Sequence, residues 1–316
     1  MSGRATVRCL EVQTPILPAP AVFLPICAHS LVRVADTMKG FAVSNIAWPP
    51  AERLNAYRLL AKFGITGLEI APGMIFADAP DAFAPPASLL RERISEIEDS
   101  GLTLVSMQSL LFGVQDVSLF GSPTQREGFC QGLRRAIRLA AELSIPHLVL
   151  GSPRERMIPP EMPRPEAEGI VCEILGELAD YAAENGCRIG LEPNPKIYGT
   201  NFAMNTSDAE RIVRLVDRTG LMLTIDTGGM IANGEIADAG VIFAECADLI
   251  GHVHISEPHL EPAPRDSAVL DQIISALRVA NYPEWMSVEM RSAGAFSLDR
   301  LKHSLEKLRT TQGQTA

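Results

Sequence analysis

Short apolar runs alternate with longer amphipathic segments along the chain from residue 40 onward. This alternation is typical of βα units arranged around a parallel sheet, because buried parallel strands are nearly continuously apolar and the crossover helices are not. Eight of the runs are predicted as strands: Phe41–Ala47, Gly67–Ala71, Thr103–Ser109, His147–Gly151, Arg188–Glu192, Met222–Asp226, Gly251–Ser256 and Met286–Met290.

The segments between these runs have helical periodicity. In the clearest one, from Gln125 to Leu143, apolar side chains recur at steps of three and four residues, and arginines lie on the opposite face. Another helix is predicted to begin at Ser207, an N-cap residue that is followed by the early acids Asp208 and Glu210. Eight strands, each followed by a helix, over about 270 residues predict an α/β protein with a single (β/α)8 TIM barrel.

The segments outside this repeat are predicted to be tails. Residues 1–37 are rich in proline and lack a periodic apolar face, so we expect a disordered N-terminal tail; Met38, just before the first predicted strand, is an alternative start. The barrel is predicted to span residues 38–309, followed by a short tail over 310–316. The proline-rich loop 152–165 follows the fourth predicted strand, and it is either a stiff loop beside the substrate or a tolerated insertion.

Charge and composition exclude several classes of partner. The formal net charge of -10 and the absence of a long Lys/Arg run argue against nucleic acid. No uninterrupted apolar run reaches the roughly 18 residues that a membrane span needs, which predicts a soluble protein with no membrane partner. The six cysteines form no C-x-x-C pair, as is usual for reduced thiols in a cytoplasmic protein.

Four polar residues lie at the ends of the last four predicted strands: Glu192, Asp226, His254 and Glu289. Their separations of 34, 28 and 35 residues are each about one βα unit, so the four side chains should lie side by side at one mouth of the barrel. A hydrophobic strand has no structural need for a carboxylate at this position. The alternative for any one of them is a core polar residue or a helix cap, but four on consecutive strands favour a functional site.

Three carboxylates held together without a cation would repel one another and resist ionisation, and a divalent metal ion resolves that conflict. Oxygen donors with one imidazole suit Mn²⁺ or Mg²⁺, with Co²⁺ and Zn²⁺ as alternatives. His252 and His254 are two residues apart and face the same side of a strand, so their spacing leaves open which of them is the ligand.

The motifs around these residues are Leu-Glu-Pro-Asn, Ile-Asp-Thr-Gly, His-Val-His-Ile-Ser-Glu and Val-Glu-Met-Arg, and together they resemble the xylose isomerase-like barrels of the sugar phosphate isomerase/epimerase group, which include the ketose 3-epimerases. The resemblance covers roughly residues 38–309. It implies that Glu192, Asp226, His254 and Glu289 hold one divalent ion, with Mn²⁺ as the first choice. It also implies a small sugar or sugar-like substrate and a homo-oligomer, either a dimer or a tetramer.

The chain departs from the ketose 3-epimerases at one position that binds substrate. Gly229 stands where those enzymes have a histidine three residues after the strand-six aspartate, so ketohexose specificity stays open. Glu257, three residues past His254, matches an acidic residue that the family keeps.

The expected reaction is isomerisation or epimerisation by proton transfer through a metal-stabilised enediolate. Glu192 and Glu289 would serve as base and acid on opposite faces of the substrate, while Asp226 and His254 would only bind the metal. A dehydratase or other lyase acting on a sugar, an inosose or a keto acid could use the same site, and a non-catalytic sugar-binding barrel is a further alternative. A nuclease would need a multi-metal cluster with more than the six histidines present.

Further polar residues are predicted near the same mouth, where each is either a substrate contact or part of the packing. Arginine there could bind a carboxylate or phosphate, and Trp48 could stack on a sugar ring. The candidates for substrate binding are Glu69, Gln108, Arg156, Asn194, Glu257 and Arg291, with Asn45 and Trp48 beside them.

Overall fold

In the computed structural model, which describes residues 38–313, eight parallel strands pair in sequence order and close where β1 meets β8. The predicted (β/α)8 barrel is therefore confirmed. The predicted tail 1–37 lies outside the described residues. The strands are β1 (Gly40–Ser44), β2 (Gly67–Ile70), β3 (Thr103–Met107), β4 (His147–Leu150), β5 (Arg188–Leu191), β6 (Leu221–Asp226), β7 (Ile250–Ile255) and β8 (Trp285–Val288).

Helices cover the outside of the barrel. The last one ends at Gly313, past the boundary predicted at residue 309. Within residues 38–313, no helix is both long enough and apolar enough to cross a membrane. The helices are α1 (Arg53–Lys62), α2 (Pro72–Ile75), α3 (Ala87–Asp99), α4 (Pro123–Glu142), α5 (Arg164–Glu184), α6 (Thr206–Val216), α7 (Thr227–Asn233), α8 (Ala239–Glu245), α9 (Ser267–Val279) and α10 (Ser297–Gly313).

The starts of α4 and α6 are fixed by side chains that cap the helices. Ser122 and Gln125 form a reciprocal capping box at α4, so this helix begins two residues earlier than its apolar periodicity predicts. The predicted N-cap Ser207 of α6 is wrong. Asn205 caps this helix instead, by accepting a hydrogen bond from the Asp208 amide at 2.7 Å.

Seven of the eight predicted strands extend past the observed strands at their C-terminal ends, and the sixth ends at Asp226 as observed. The first predicted strand reaches Ala47, whereas β1 ends at Ser44 and a 3-10 turn follows. Strands β5 and β8 end one residue before Glu192 and Glu289, so both glutamates lie where the ladder of backbone hydrogen bonds gives way to loops. This edge is the C-terminal mouth, where TIM barrels carry their functional side chains.

The barrel interior contains a connected set of polar side chains as well as an apolar core. His147, the first residue of β4, points into the barrel, where Nε2 lies 2.9 Å from Thr224 Oγ1 and its ring stacks on His252. A Cβ atom at position 190 would lie 2.2 Å from His147 Nε2, so Gly190 is what makes room for this ring. These polar side chains continue along the barrel axis to the C-terminal mouth.

Candidate metal centre and its cavity

Four side chains predicted from their spacing meet at the C-terminal mouth. Glu192, Asp226, His254 and Glu289 are all buried, and one donor atom from each lies within 4.8 Å of the others. His254 Nδ1 is central to the group, at 3.0 Å from Glu192 Oε1 and 3.2 Å from Glu289 Oε2. The fold thus brings together the three carboxylates and the imidazole.

Asp226 is held by two neighbours. It is the N-cap of α7, where Oδ2 accepts a hydrogen bond from the Gly229 amide at 2.8 Å. Its other oxygen, Oδ1, accepts a hydrogen bond from the Ser256 hydroxyl on the loop that follows β7. Because each carboxylate oxygen already has a protein donor, Asp226 is suited to a fixed ligand role and poorly suited to moving a proton.

Glu192 lies on a loop that Arg156 and Asn194 stabilise. Arg156 Nη2 donates to the Glu192 backbone carbonyl at 3.0 Å and to Asn194 Oδ1 at 2.7 Å. Asn194 Nδ2 in turn donates to Glu192 Oε2 at 3.2 Å. A Cβ atom at position 151 would lie 2.5 Å from the same oxygen, so Gly151 allows the glutamate to approach β4 closely.

The charges in this cluster conflict when no cation is present. Burial, together with the charges of Glu192 and Glu289, raises the pKa of Asp226, and burial also raises the pKa of Glu289. Burial lowers the pKa of His254, but the nearby carboxylates of Glu69 and Glu289 outweigh that effect and hold the pKa well above its usual value. The cluster therefore retains protons at positions that a cation could take.

The donor set fits a divalent metal ion. His254 Nδ1 is a buried nitrogen without a hydrogen-bond partner among the described residues, although two carboxylate oxygens lie near it. Three carboxylates and one imidazole are the donors that Mn²⁺ and Mg²⁺ accept, and Co²⁺ and Zn²⁺ accept them too. The neighbouring His252 instead places Nε2 at 2.8 Å from Ser287 Oγ, so the geometry favours His254 over His252 as the ligand.

A cavity of about 540 Å³ opens above the cluster, and Glu192, Asp226 and Glu289 form part of its lining. Among the predicted substrate contacts, Asn194, Glu257 and Arg291 also line the cavity. Pro153 and Arg154 line it as well, so the proline-rich loop after β4 lies beside the cavity.

The other predicted substrate contacts lie elsewhere. Glu69 is fully buried beneath the cluster, where Oε1 accepts a hydrogen bond from Gln108 Nε2 at 2.8 Å and Oε2 lies 3.0 Å from His254 Nε2. Burial alone would raise the pKa of Glu69, but its contacts with His254 and His252 hold it well below the ordinary range. Arg156 is also fully buried, and burial lowers its pKa to about 10. None of Glu69, Gln108 and Arg156 lines the cavity.

Asn45 and Trp48 are also part of the packing. Asn45 Oδ1 accepts a hydrogen bond from the Ala71 amide at 2.7 Å, and the Trp48 ring packs edge-on against Tyr57. Both side chains are buried at the mouth after β1 and hold neighbouring loops in place.

Several residues of the cavity wall were not predicted from the sequence. Tyr198, in the loop after β5, accepts a hydrogen bond from the His259 amide at 3.0 Å, which joins the loops after β5 and β7. Burial and the charges of the three cluster carboxylates raise the pKa of Tyr198. His259 and Leu260 line the same wall with backbone φ angles of 62° and 58°. A tyrosine six residues after Glu192 is the only sequence signal for this contact.

A second cavity, of about 420 Å³, is lined by residues near the N-terminal ends of the strands, including His147, Arg188 and His252. None of the four clustered donors lines it. The three carboxylates of the cluster line the C-terminal cavity instead.

Known proteins share this fold. The family model for the xylose isomerase-like TIM barrel matches residues 57–311. No curated protein has a significant match to the chain. Among solved structures, 3-keto-D-glucoside 4-epimerase from E. coli is 22% identical, with a TM-score of 0.65 over 86% of this chain and 99% of that one.

Two other solved structures show the same likeness. D-psicose 3-epimerase from Clostridium cellulolyticum H10, solved with D-tagatose, is 16% identical, with a TM-score of 0.66 over 86% of this chain and 98% of that one. An AP endonuclease of family 2 from Brucella melitensis is 19% identical, with a TM-score of 0.62 over 82% of this chain and 95% of that one. At these identities the likeness shows the fold. The family match over most of the chain shows more: this protein belongs to the xylose isomerase-like TIM barrel family.

Proposed function

We propose that the protein is a metal-dependent isomerase or epimerase of a sugar or sugar-like compound, acting by proton transfer. The observation that carries this proposal is the placement of Glu192 and Glu289 against the same nitrogen of His254, at 3.0 and 3.2 Å, where both also line the cavity. Two carboxylates that share a cluster and face one cavity can remove a proton from a substrate and return one to it.

The metal would be held by Glu192, Asp226, His254 and Glu289, with Mn²⁺ as the first choice. When bound, a divalent ion supplies Lewis-acid polarisation of a substrate carbonyl and its neighbouring hydroxyl. Asp226 and His254 keep the donors in place, because the oxygens of Asp226 and the second nitrogen of His254 already contact other protein groups.

Proton transfer is assigned to the two glutamates. Burial raises the pKa of Glu289, which brings its carboxyl group closer to the pH at which a general acid or base works best. Glu192 receives a hydrogen bond on Oε2 from Asn194, which orients its carboxylate toward His254 and the cavity. With one glutamate on each face of a planar substrate carbon, the proton can leave from one side and return from the other.

The cavity sets the size and polarity of the substrate. Its volume of about 540 Å³ is within the usual range of small-molecule sites, roughly 300 to 1,000 Å³. Acidic side chains form its floor, and Arg154 and Arg291 are exposed at its edge. Two of the three solved relatives are named as epimerases, of D-psicose and of a 3-keto-D-glucoside, so a polyhydroxylated carbonyl compound is the expected class.

A substrate panel in D₂O tests this function. Metal-replete protein would be incubated with ketoses, aldoses, 3-keto-glucosides, inososes and keto acids, and NMR would follow deuterium uptake at the carbon beside the carbonyl. Uptake together with a new epimer or isomer is the expected result. Uptake with loss of water would identify a lyase instead. Binding of a sugar without any uptake, for every compound in the panel, would overturn the enzymatic assignment.

A further inference from the structure

The two ring nitrogens of His254 have different surroundings. Nε2 lies 3.0 Å from Glu69 Oε2, whereas Nδ1 faces Glu192 and Glu289 without a hydrogen bond that meets normal geometry. The side chains of His254 and Glu69 are both fully buried. Since the ring cannot turn freely in this packing, its orientation relative to the four donors depends on what Nε2 contacts.

We infer that Glu69 is a positioning residue of the metal centre, whose carboxylate accepts the Nε2 proton of His254 and leaves the Nδ1 lone pair for the cation. A neutral imidazole carries one N–H, and the partner of one nitrogen decides which nitrogen carries it. Both oxygens of Glu69 already accept hydrogen bonds, from Ser106 and Gln108, so the carboxylate also acts as an acceptor toward His254 and the proton lies on Nε2. The inference rests on the proposed function for the presence of a cation at the four donors.

Glu69 is itself held in place by neighbours other than His254. Ser106 Oγ donates to Glu69 Oε2 at 2.6 Å, and Gln108 Nε2 donates to Oε1 at 2.8 Å. Gln108 is oriented in turn by Ser44 Oγ, at 2.9 Å from the same amide nitrogen. These contacts connect residues on or next to β1, β2 and β3 to the proposed metal ligand His254 on β7. Strands in the first half of the barrel therefore orient a ligand on a strand in the second half.

A second metal ion is the competing explanation for these residues. Glu69, His252 and His254 offer donor atoms within 4.8 Å of one another. However, both Glu69 oxygens already accept hydrogen bonds from Ser106 and Gln108, and His252 Nε2 lies 2.8 Å from Ser287 Oγ. Glu69 Oε2 alone has three polar neighbours, at 2.6 Å from Ser106 Oγ, 3.0 Å from His254 Nε2 and 3.3 Å from His252 Nε2, whereas each oxygen of Asp226 accepts one hydrogen bond. This crowding favours a single cation above and a hydrogen-bonded support below.

A double-mutant cycle on metal affinity tests the inference. Metal-free full-length protein would be titrated with Mn²⁺, and the EPR signal of the free ion would give affinity and stoichiometry. Glu69→Gln keeps the size of the side chain but removes its charge, and it should weaken Mn²⁺ binding by about 10- to 100-fold. Because Glu69 acts only through the imidazole, the same change in a His254→Ala background should alter affinity by less than about threefold.

Ser287→Ala is the matched control. It removes a buried hydroxyl from the same interior, where the partner is His252 Nε2 at 2.8 Å. Since His252 Nε2 lies 3.3 Å from Glu69 Oε2, this change reaches Glu69 only indirectly, and Ser287 makes no hydrogen bond to His254 among the described residues. Its Mn²⁺ affinity should stay within about threefold of wild type, because the loss of one interior hydrogen bond elsewhere does not reorient the ligand. An equal loss in Ser287→Ala and Glu69→Gln would mean that any change in the interior weakens the site, and would overturn the inference.

A measurement on the wild-type protein keeps the test valid if Glu69→Gln does not fold. Long-range ¹H–¹⁵N NMR on the Mg²⁺-loaded protein reports which nitrogen of each histidine carries the proton, and the His254→Ala spectrum identifies the signal. An Nε2–H tautomer supports the inference, and an Nδ1–H tautomer overturns it.

The outcomes separate this inference from the proposed function. One Mn²⁺ per wild-type chain with unchanged affinity in Glu69→Gln, or with equal losses in both backgrounds of the cycle, overturns the positioning role and leaves the metal centre intact. Two ions per chain, one of which is lost in Glu69→Gln, would also overturn it in favour of the second site. No Mn²⁺ binding by the wild-type protein would overturn the proposed function itself.

Discussion

Removal of the proposed divalent cation should destabilise the barrel in a pH-dependent way. Burial and the charges of Glu192 and Glu289 raise the pKa of Asp226 from its ordinary 3.8 to about 7. At 1.36 kcal/mol for each pH unit, this difference corresponds to about 4 kcal/mol of stability lost when Asp226 is fully ionised in the metal-free protein. A cation bound by the oxygens of Asp226, Glu192 and Glu289 should remove this loss of stability.

The sign of the pH dependence follows from the direction of this pKa change. Well below pH 3.8 the carboxyl group of Asp226 is protonated in both the folded and the unfolded chain, and it does not change the stability. As the pH rises, the unfolded chain loses this proton first, so the free energy of unfolding of the metal-free protein falls until about pH 7. The metal-loaded protein should not show this loss.

Calorimetric melting of chelated and Mn²⁺-reloaded protein at pH 5 and pH 8 measures the effect. For a protein of this size, 1 kcal/mol shifts the melting temperature by roughly 2 °C, so the loaded protein should melt about 8 °C higher at pH 8 and by much less at pH 5. Asp226→Asn is the control. Asparagine can still cap α7 through the Gly229 amide, so the metal-free variant should melt above metal-free wild type at pH 8. Equal melting temperatures of Mn²⁺-loaded and chelated wild-type protein at both pH values would refute the reasoning.

Other consequences can be checked separately. Asp226→Asn and His254→Ala should weaken Mn²⁺ affinity by about 10-fold or more before they lower the maximal rate, so activity should partly return at high Mn²⁺ in a metal titration. Arg291→Ala should raise KM with little change in kcat, measured by steady-state kinetics, because Arg291 lines the cavity edge and does not contact the clustered donors. Deletion of the proline-rich residues 1–37 should change the melting temperature by less than about 5 °C.

The sequence was sufficient to predict the four clustered donors because their positions follow from topology. In a closed barrel whose strands pair in sequence order, polar residues about one βα unit apart on β5 to β8 must become neighbours at one mouth. A carboxylate at the end of an apolar strand is therefore informative without any knowledge of side-chain conformation. Spacing alone puts the rings of His252 and His254 on the same side of β7, so the prediction of His254 as the ligand came from the family resemblance and not from spacing.

The position of a side chain along the barrel axis could not be predicted in the same way. Glu69 and Gln108 point into the barrel, as an active-site prediction requires, but they lie below the cavity. The pairing of β2 with β3 shifts register between Leu68 and Glu69, and the height of a side chain in a barrel depends on such shifts. Strand periodicity predicts which face of the sheet a residue occupies, but it does not predict how far along the barrel axis the side chain lies.

Contacts between loops were also beyond sequence reasoning. Arg154 and Arg156 lie on one 3-10 turn, but only Arg154 lines the cavity, because Arg156 turns inward to Asn194 on the next βα loop. Tyr198 and His259 meet across loops 61 residues apart in the chain. Such pairs depend on how neighbouring loops fold against each other, and no local pattern encodes them.

The proposed chemistry depends on whether Glu192 and Glu289 both move protons. Replacement of either by Gln keeps an oxygen donor for the metal but removes the base, so turnover of the substrate identified in D₂O should fall by roughly 10² to 10⁴-fold. Glu155→Gln is the control at the same mouth. Glu155 lies in the loop after β4 and lines no part of the cavity, so its variant should stay within about twofold of wild type.

The most direct measurement is solvent deuterium exchange by Glu192→Gln and Glu289→Gln, with one Mn²⁺ per chain verified by mass spectrometry. If the two glutamates serve opposite faces of the substrate, one variant should still exchange the substrate proton with D₂O from a given epimer while failing to complete the inversion, and the other should do neither. A metal-loaded variant that inverts the substrate at near the wild-type rate would contradict the two-glutamate mechanism.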